Sequence, residues 1–537
     1  MPKPRSWIAW AILLASAAPA VAAPPDADKR RADALALAAK IDGHLDKAWA
    51  DNKIVPAPKT DDAAFLRRVY LHLAGRIPSV AEVQKFLDDK SADKRVKVVE
   101  ELLQGNRYPL HLANVWRAVL LPEAVAGSEA RGFAGPLEAW LRSRLAADVG
   151  WDKIVRELLT AAPPNRGGGP DGFLLDIYGF DPGDGSTPLS LYQAKQFKPE
   201  NLAEVTTRAL LGVRLGCAQC HNHPTAQWKK EQFWEFAAFF AGVAPRQQQQ
   251  PDKPRTRTLK IPNTDTVVGA KFLDGKAPEF KDKDDPRALL AEWITRKDNP
   301  YFARATVNRV WAYLFGVGLV DPVDEMVGAG NAPSHPELLD DLAKDFAEHD
   351  FDLRYLILAI TSSKAYQLSS ARTDPSQDTP RQFARAPLLG MTPEQLFDSV
   401  AEATSTQDRG AREGFLSKFS NLSDRPTEHQ TSIIQALALM NGRLTADATS
   451  LERSQLLAAI LDSPFMDTPQ RVETLYLAAL SRKPNGKEME RAKKFIDESL
   501  ASGDKQLSLE EKENRYKHAL ADVFWALLNS GEFFFNQ

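Results

Sequence analysis

Apolar residues recur every three to four positions through most of this chain. Over 29–51, Leu35, Leu37, Ile41, Leu45 and Trp49 fall on one side of a helix. Asp61 and Asp62 stand where a cap belongs, ahead of a helix that carries Phe65, Val69, Leu71 and Leu73. Ser79, with Glu82 three residues on, has the form of a capping box. The helical period continues over 115–121, 137–145 and 154–159. Loop chemistry then interrupts it at Asn165-Arg166-Gly167-Gly168-Gly169-Pro170 and at Asp181-Pro182-Gly183-Asp184-Gly185. The second stretch is acidic but lacks the ligand count of an EF-hand calcium loop, so it reads as a turn. Helix returns over 200–212 and 229–242, the latter with Phe233, Trp234, Phe236, Phe239 and Phe240.

Beyond that aromatic helix the pattern changes. Four glutamines at 247–250, with Pro251 and Pro254, form a polar low-complexity linker. The stretches 258–261 and 266–272 alternate or run apolar on either side of Pro262-Asn263-Thr264-Asp265, which predicts a small hairpin. Helical periodicity resumes at Asp285 and holds to the C-terminus. The expected fold is therefore mainly α: a two-domain helical protein with a small β hairpin in or near the interdomain linker. The first helical domain is expected over 27–245, the linker over 246–285 and the second helical domain over 286–537. Tyr70-Leu71, Arg76, Pro78 and Glu82 share their spacing with Tyr476-Leu477, Arg482, Pro484 and Glu488. Ala113-Asn114-Val115-Trp116 resembles Ala521-Asp522-Val523-Phe524 at nearly the same distance beyond. This predicts one helical-hairpin unit used near both ends of the chain.

Composition narrows the function. The N-terminus places Lys3 and Arg5 before an apolar stretch at 7–14 and an A-x-A site at Ala20-Val21-Ala22, the form of a secretory signal peptide over 1–22. Ser16 and Pro19 break the run, which is short for a membrane anchor. No other apolar run reaches spanning length, so no membrane span is expected after cleavage and the mature chain is expected in the periplasm or secreted. The formal net charge of −3 is mixed along the chain, with no basic block beyond pairs such as Lys229-Lys230, and nothing in it asks for nucleic acid.

The chain holds only two cysteines, and both lie in Cys217-Ala218-Gln219-Cys220-His221. C-x-x-C-H is the attachment pattern of c-type haem, in which two thiols become thioethers and the histidine ligates iron. In that reading Cys217, Cys220 and His221 hold haem c, Trp228 and the aromatic helix wall it, and the function is electron transfer or haem-dependent redox chemistry with an unknown redox partner. His223 is too close to His221 to reach the opposite face of the same iron. The first methionine after His221 is Met326, beyond the linker; His335 and Met440 are further candidates for a distal ligand. The alternatives are a Cys217–Cys220 disulfide, a zinc-type site from Cys217, Cys220, His221 and His223, and thiol redox chemistry, for which the βαβ setting is missing. In the first two of these the protein is a non-catalytic exported binding or scaffold protein, with zinc or no cofactor. His335 also reads simply as a loop histidine at a helix N-terminus, with Ser334 as the cap. No H-E-x-x-H, G-x-S-x-G or phosphate loop is present, and Asp340-Asp341 do not face one site on a helix. No catalytic residue can be named.

Two sets of segments resemble a known pairing. Phe65-Leu66-Arg67-Arg68-Val69-Tyr70-Leu71, Gly75-Arg76-Ile77-Pro78 and the stretch 211–224 around Cys217 resemble the first of two paired domains of planctomycete cytochrome-type proteins, domain of unknown function 1549. Asn299-Pro300-Tyr301-Phe302-Ala303-Arg304, Val307-Asn308-Arg309-Val310-Trp311, Pro333-Ser334-His335-Pro336-Glu337 and Asn529-Ser530-Gly531-Glu532-Phe533 resemble the second, number 1553. The resemblance implies an exported, cytochrome-associated protein. Many such proteins carry a further N-terminal haem-binding domain; this chain starts almost directly at the first paired domain, which leaves Cys217 as the haem site to expect. Thr225 stands where the family often has an aromatic residue after His223-Pro224.

Overall fold

The structure, a computed structural model, describes residues 27–124, 129–161, 186–222, 227–244, 256–282, 284–328, 331–406, 412, 414–416, 449–501 and 508–536. The expected leader at 1–22, the expected loops at 165–170 and 181–185, the glutamine run, His223, Thr225 and Met440 lie outside them.

The chain is mainly α-helical. Its first half runs through α1 (Ala27–Asp51), α2 (Asp62–Ala74), α3 (Val80–Asp88), α4 (Lys94–Gln104), α5 (Arg107–Leu120), α6 (Arg131–Ala146), α7 (Trp151–Leu159), α8 (Leu189–Ala194), α9 (Pro199–Val205) and α10 (Lys230–Ala237). A hairpin follows, β1 (Thr258–Lys260) antiparallel to β2 (Val267–Gly269) with Leu259 opposite Val268. Asn263 in its turn has φ of 62°, a conformation asparagine tolerates well. This is the hairpin the alternation predicts. Next come α11 (Pro286–Ile294), α12 (Phe302–Phe315), α13 (Pro336–Glu348), α14 (Leu353–Ser362), β3 (Leu389–Gly390) and α15 (Pro393–Thr404). The chain closes with α16 (Gln455–Asp462), α17 (Thr468–Leu480), α18 (Gly486–Ala501), α19 (Leu509–Leu528), α20 (Gly531–Phe534) and β4 (Phe535–Asn536), which pairs antiparallel with β3.

Local signals behave as their chemistry requires. Asp61 caps α2 by accepting from the Ala64 N–H, and Ser79 with Glu82 makes the full capping box of α3. Leu37, Ile41, Leu45 and Trp49 of α1 are buried, but Leu35 is 37% exposed. The face is carried instead by Ala34 and Ala38, whose small side chains let α1 lie close against α13 and α14.

Two apolar cores form. The larger draws on residues from Ala34 to Ala384, with Leu477, and so takes side chains from both sides of the hairpin segment. Polar contacts stitch the same junction: the Trp49 indole N–H donates to Gln382 O at 2.7 Å, and Ala57 N–H to Ala384 O at 2.8 Å. The smaller core is built by α15–α20, with Leu71 and Ile77 reaching into it from α2 and the turn after it.

The internal similarity has a physical counterpart. The Arg76 guanidinium lies over the Tyr70 ring, donates to Ile77 O and holds Glu82 by two bonds of 2.9 Å. The Arg482 guanidinium lies over Tyr476, donates to Lys483 O and holds Glu488 by two bonds of 2.8 Å. Each preceding helix ends in a left-handed residue, Gly75 in one and Ser481 in the other. The same clasp between a helix and the next is thus used in α2–α3 and in α17–α18.

Candidate functional site

The approach to the cysteines begins on α9. Thr206 and Thr207 return their hydroxyls to Leu202 O and Ala203 O, and the helix widens into a π turn over Thr206–Leu210. Val213 N–H closes on Thr207 O at 2.9 Å, and Gly212, at φ of 63°, turns the chain out. That positive φ favours glycine, and a Cβ there would stand 2.8 Å from Met326 Sδ and 3.3 Å from the Ala305 Cβ. A short 3₁₀ turn, Gly216–Gln219, then carries the motif, pinned by the buried Ala218.

Both cysteines are exposed and unbonded. His221 is exposed as well, and its Nδ1 lies 2.7 Å from Asn222 O. A carbonyl only accepts, so Nδ1 carries the proton and Nε2 keeps its lone pair free to ligate. Asn222 also accepts from Lys230 N–H through its Oδ1 at 3.0 Å, and Trp234 Nε1–H donates to Gln219 O at 3.1 Å, so the start of α10 holds the end of the turn. Phe233 stands edge-on to Trp234. Trp228, seven residues beyond His221 in the sequence, is buried, and its indole N–H finds no acceptor among the described residues.

Charge and backbone tie this turn to the segment after α12. Met326 N–H donates to Gly212 O at 2.8 Å, and Arg214 pairs with Glu325 at 3.0 Å. Glu325 raises the Arg214 pKa above its ordinary value, with the Cys217 thiol a smaller contributor in the same direction. Asp324 joins Arg309 at 2.5 Å and lies near Arg208. Burial works against its charge, but the two guanidinium groups prevail and hold its pKa below the usual carboxylate value.

The segment is anchored further back by Asn308. That side chain is fully buried, donates to Val320 O at 2.8 Å and accepts from Val320 N–H at 2.9 Å. Asn308→Ala leaves both groups of Val320 unpaired. The expected loss is about 3 kcal/mol, read as a lower urea midpoint. A midpoint within error of the parent chain would show that the anchor carries no stability.

His335 is placed differently. It precedes α13 and is its N-cap residue by backbone, so Ser334 is not the cap. Ser334 is one position too early: its hydroxyl meets His335 Nδ1 at 3.0 Å and Leu319 O at 3.3 Å, while Pro336 takes the first helical position. The His335 ring sits against Phe383, and burial, then Arg381 and His44, lower its pKa to about 4. These neighbours belong to α1 and to residues past α12, not to the 216–222 turn. The structure thus brings Cys217, Cys220 and His221 together on one exposed turn and places His335 among other partners. Among the described residues no group of three or more His, Cys, Asp or Glu side chains converges as a metal site. The Gly212–Met326 and Arg214–Glu325 contacts are not readable from sequence; Gly212, five residues ahead of Cys217, is the one local sign of a close approach.

Residues 40–244 match the family model named PSCyt2, a protein of unknown function (DUF1549), and residues 286–420 match the one named PSD1, a protein of unknown function (DUF1553). No curated protein and no solved structure matches the chain.

Proposed function

We propose that this chain, in which a DUF1549 domain is paired with a DUF1553 domain, is an exported c-type haem protein that passes electrons to a redox partner. The observation that carries the reading is the C-x-x-C-H turn itself. Two free thiols stand exposed three positions apart, and His221 has its Nδ1 proton committed to Asn222 O, which leaves Nε2 for iron. The donor set fits the group. Each thiol adds its S–H across one vinyl double bond, sulfur to one carbon and hydrogen to the other, so no oxidant is required. Bound haem supplies a one-electron couple.

The chain's own residues then have distinct tasks. The hydrogen bond to Asn222 O orients the imidazole and raises its basicity as a ligand. Trp228, Trp234 and Phe233 give the turn an apolar flank that excludes water. Trp228 Nε1–H is a buried donor in need of an acceptor, as a propionate oxygen would provide. Arg214 keeps a positive charge at the exposed side of the turn.

Expression of the full chain with c-type maturation machinery tests this. Haem is expected to stay with the chain on denaturing gels, and the Cys217→Ala, Cys220→Ala double variant to lose it. An intact mass equal to the leader-cleaved polypeptide alone overturns the reading. A mass lower than that by two hydrogens assigns the pair to a disulfide in a non-catalytic scaffold, and zinc bound in the native mass assigns it to a metal site.

A further inference from the structure

If haem is held at this turn, His221 would supply one nitrogen ligand, and a second protein ligand would come from outside the turn. We propose that Met326 is that ligand, an inference that rests on the haem reading above. Its residue packs directly on the segment that delivers the motif: N–H to Gly212 O at 2.8 Å, with Sδ lying against Gly212 on the side where a Cβ would project. Two flanking ion pairs, Arg214–Glu325 and Arg309–Asp324, fix the register of this contact. Asn308 holds the start of the same segment, and Asn331 Nδ2–H closes it on Glu325 O at 2.8 Å.

No other described methionine or histidine outside the motif has a hydrogen bond or ring contact to the 212–222 segment. Met391 and Met489 belong to the smaller core, and Met466 lies just ahead of α17. His44 faces Asp341, His72 and His111 are sealed in a buried network with tyrosines, His349 stacks on Tyr355, and His518 binds Asn514 O. His335 rests against Phe383. Met326 is the described sulfur held against the motif segment. It is only partly buried, and its unbranched thioether has the freedom to turn from Gly212 to a metal. A thioether opposite imidazole also suits an electron carrier, because that pair raises the reduction potential.

The test uses the full chain carrying covalent haem, with Met326→Leu, Met326→His and His335→Ala alongside the parent. Leucine conserves volume, so the fold is expected to survive. The ferric parent is expected to be six-coordinate and low-spin, with the charge-transfer band of a methionine–iron bond. Met326→Leu should keep its haem on denaturing gels, lose that band, turn high-spin and return to low-spin with added imidazole. Met326→His should stay low-spin at a lower potential. A parent without the band, a Met326→Leu spectrum unchanged from the parent, or a high-spin His335→Ala chain would each overturn the assignment. Haem missing from the parent on denaturing gels instead overturns the haem reading, and this inference with it.

Discussion

Lowering the pH from 7 toward 4 is expected to unfold this protein cooperatively, through histidines that the fold keeps neutral. His72 is buried on α2, with Nδ1 2.8 Å from Tyr366 Oη and Nε2 3.0 Å from Asn536 Nδ2. The amide donates to Nε2, so Nδ1–H donates to the tyrosine, and an added proton on Nε2 would face another donor. His111 Nε2 lies 2.7 Å from Tyr313 Oη, which in turn donates to His72 O at 2.7 Å. The His111 ring lies directly against Gly75, in the space a Cβ there would take. Burial, helped by Arg68 and His111, lowers the His72 pKa to about 3. Burial also lowers His111 to about 4, with Arg107 acting the same way and Glu394 against it. The ordinary value is 6.5. Between 6.5 and these lower values the unfolded chain binds protons that the folded chain refuses. Stability is therefore complete above pH 6.5 and is lost as pH falls. Each unit of separation is worth about 1.4 kcal/mol, so each histidine contributes on the order of a few kcal/mol. Urea midpoints measured from pH 7.5 to 4 should fall steadily, and His72→Gln should flatten the slope. A midpoint constant over that range would refute the account.

Arg67→Met is expected to cost about 3 kcal/mol or more, because it strips buried carbonyls of a charged donor. Arg67 is 4% exposed; its guanidinium donates from Nη1 to Ala479 O at 2.9 Å and from Nη2 to Phe533 O at 2.8 Å. Ala479 lies in the last turn of α17, where unpaired carbonyls carry partial negative charge and a cation is favoured. Burial, partly offset by Glu532, lowers the Arg67 pKa to about 10, so the group is charged at neutral pH. It thereby joins α2 to both α17 and the C-terminal segment that places Asn536 against His72. Arg67→Lys should recover little, since one ammonium does not reproduce a planar fork aimed at two carbonyls. The measurement is the urea midpoint together with amide exchange at 533–536, which should quicken. An unchanged midpoint with unchanged exchange would show the contacts to be incidental.

What the sequence alone determined was local. Helix faces, the Asp61 cap, the Ser79–Glu82 box, the 258–269 hairpin and the Arg–Glu clasp near both ends all depend on partners a few residues apart, whose relative positions the backbone geometry fixes. The C-x-x-C-H turn belongs to this class, since its three groups lie within five residues. The paired domain types were legible in the same way, from contiguous segments. Tertiary structure decided the rest, because it depends on what distant segments bring to a given spot. Leu35 carries the right period yet stays out in solvent, since α1 meets α13 and α14 on its alanine side. Arg67 and Arg68 are buried although arginine is a surface residue by type, because their guanidinium groups meet carbonyls some three hundred to four hundred residues away. His335 lies in a family-like loop but rests on Phe383, whereas Met326 meets Gly212 across more than a hundred residues. No periodicity encodes that meeting; it follows from a glycine without a Cβ, two ion pairs and a core that takes side chains from both sides of the hairpin segment.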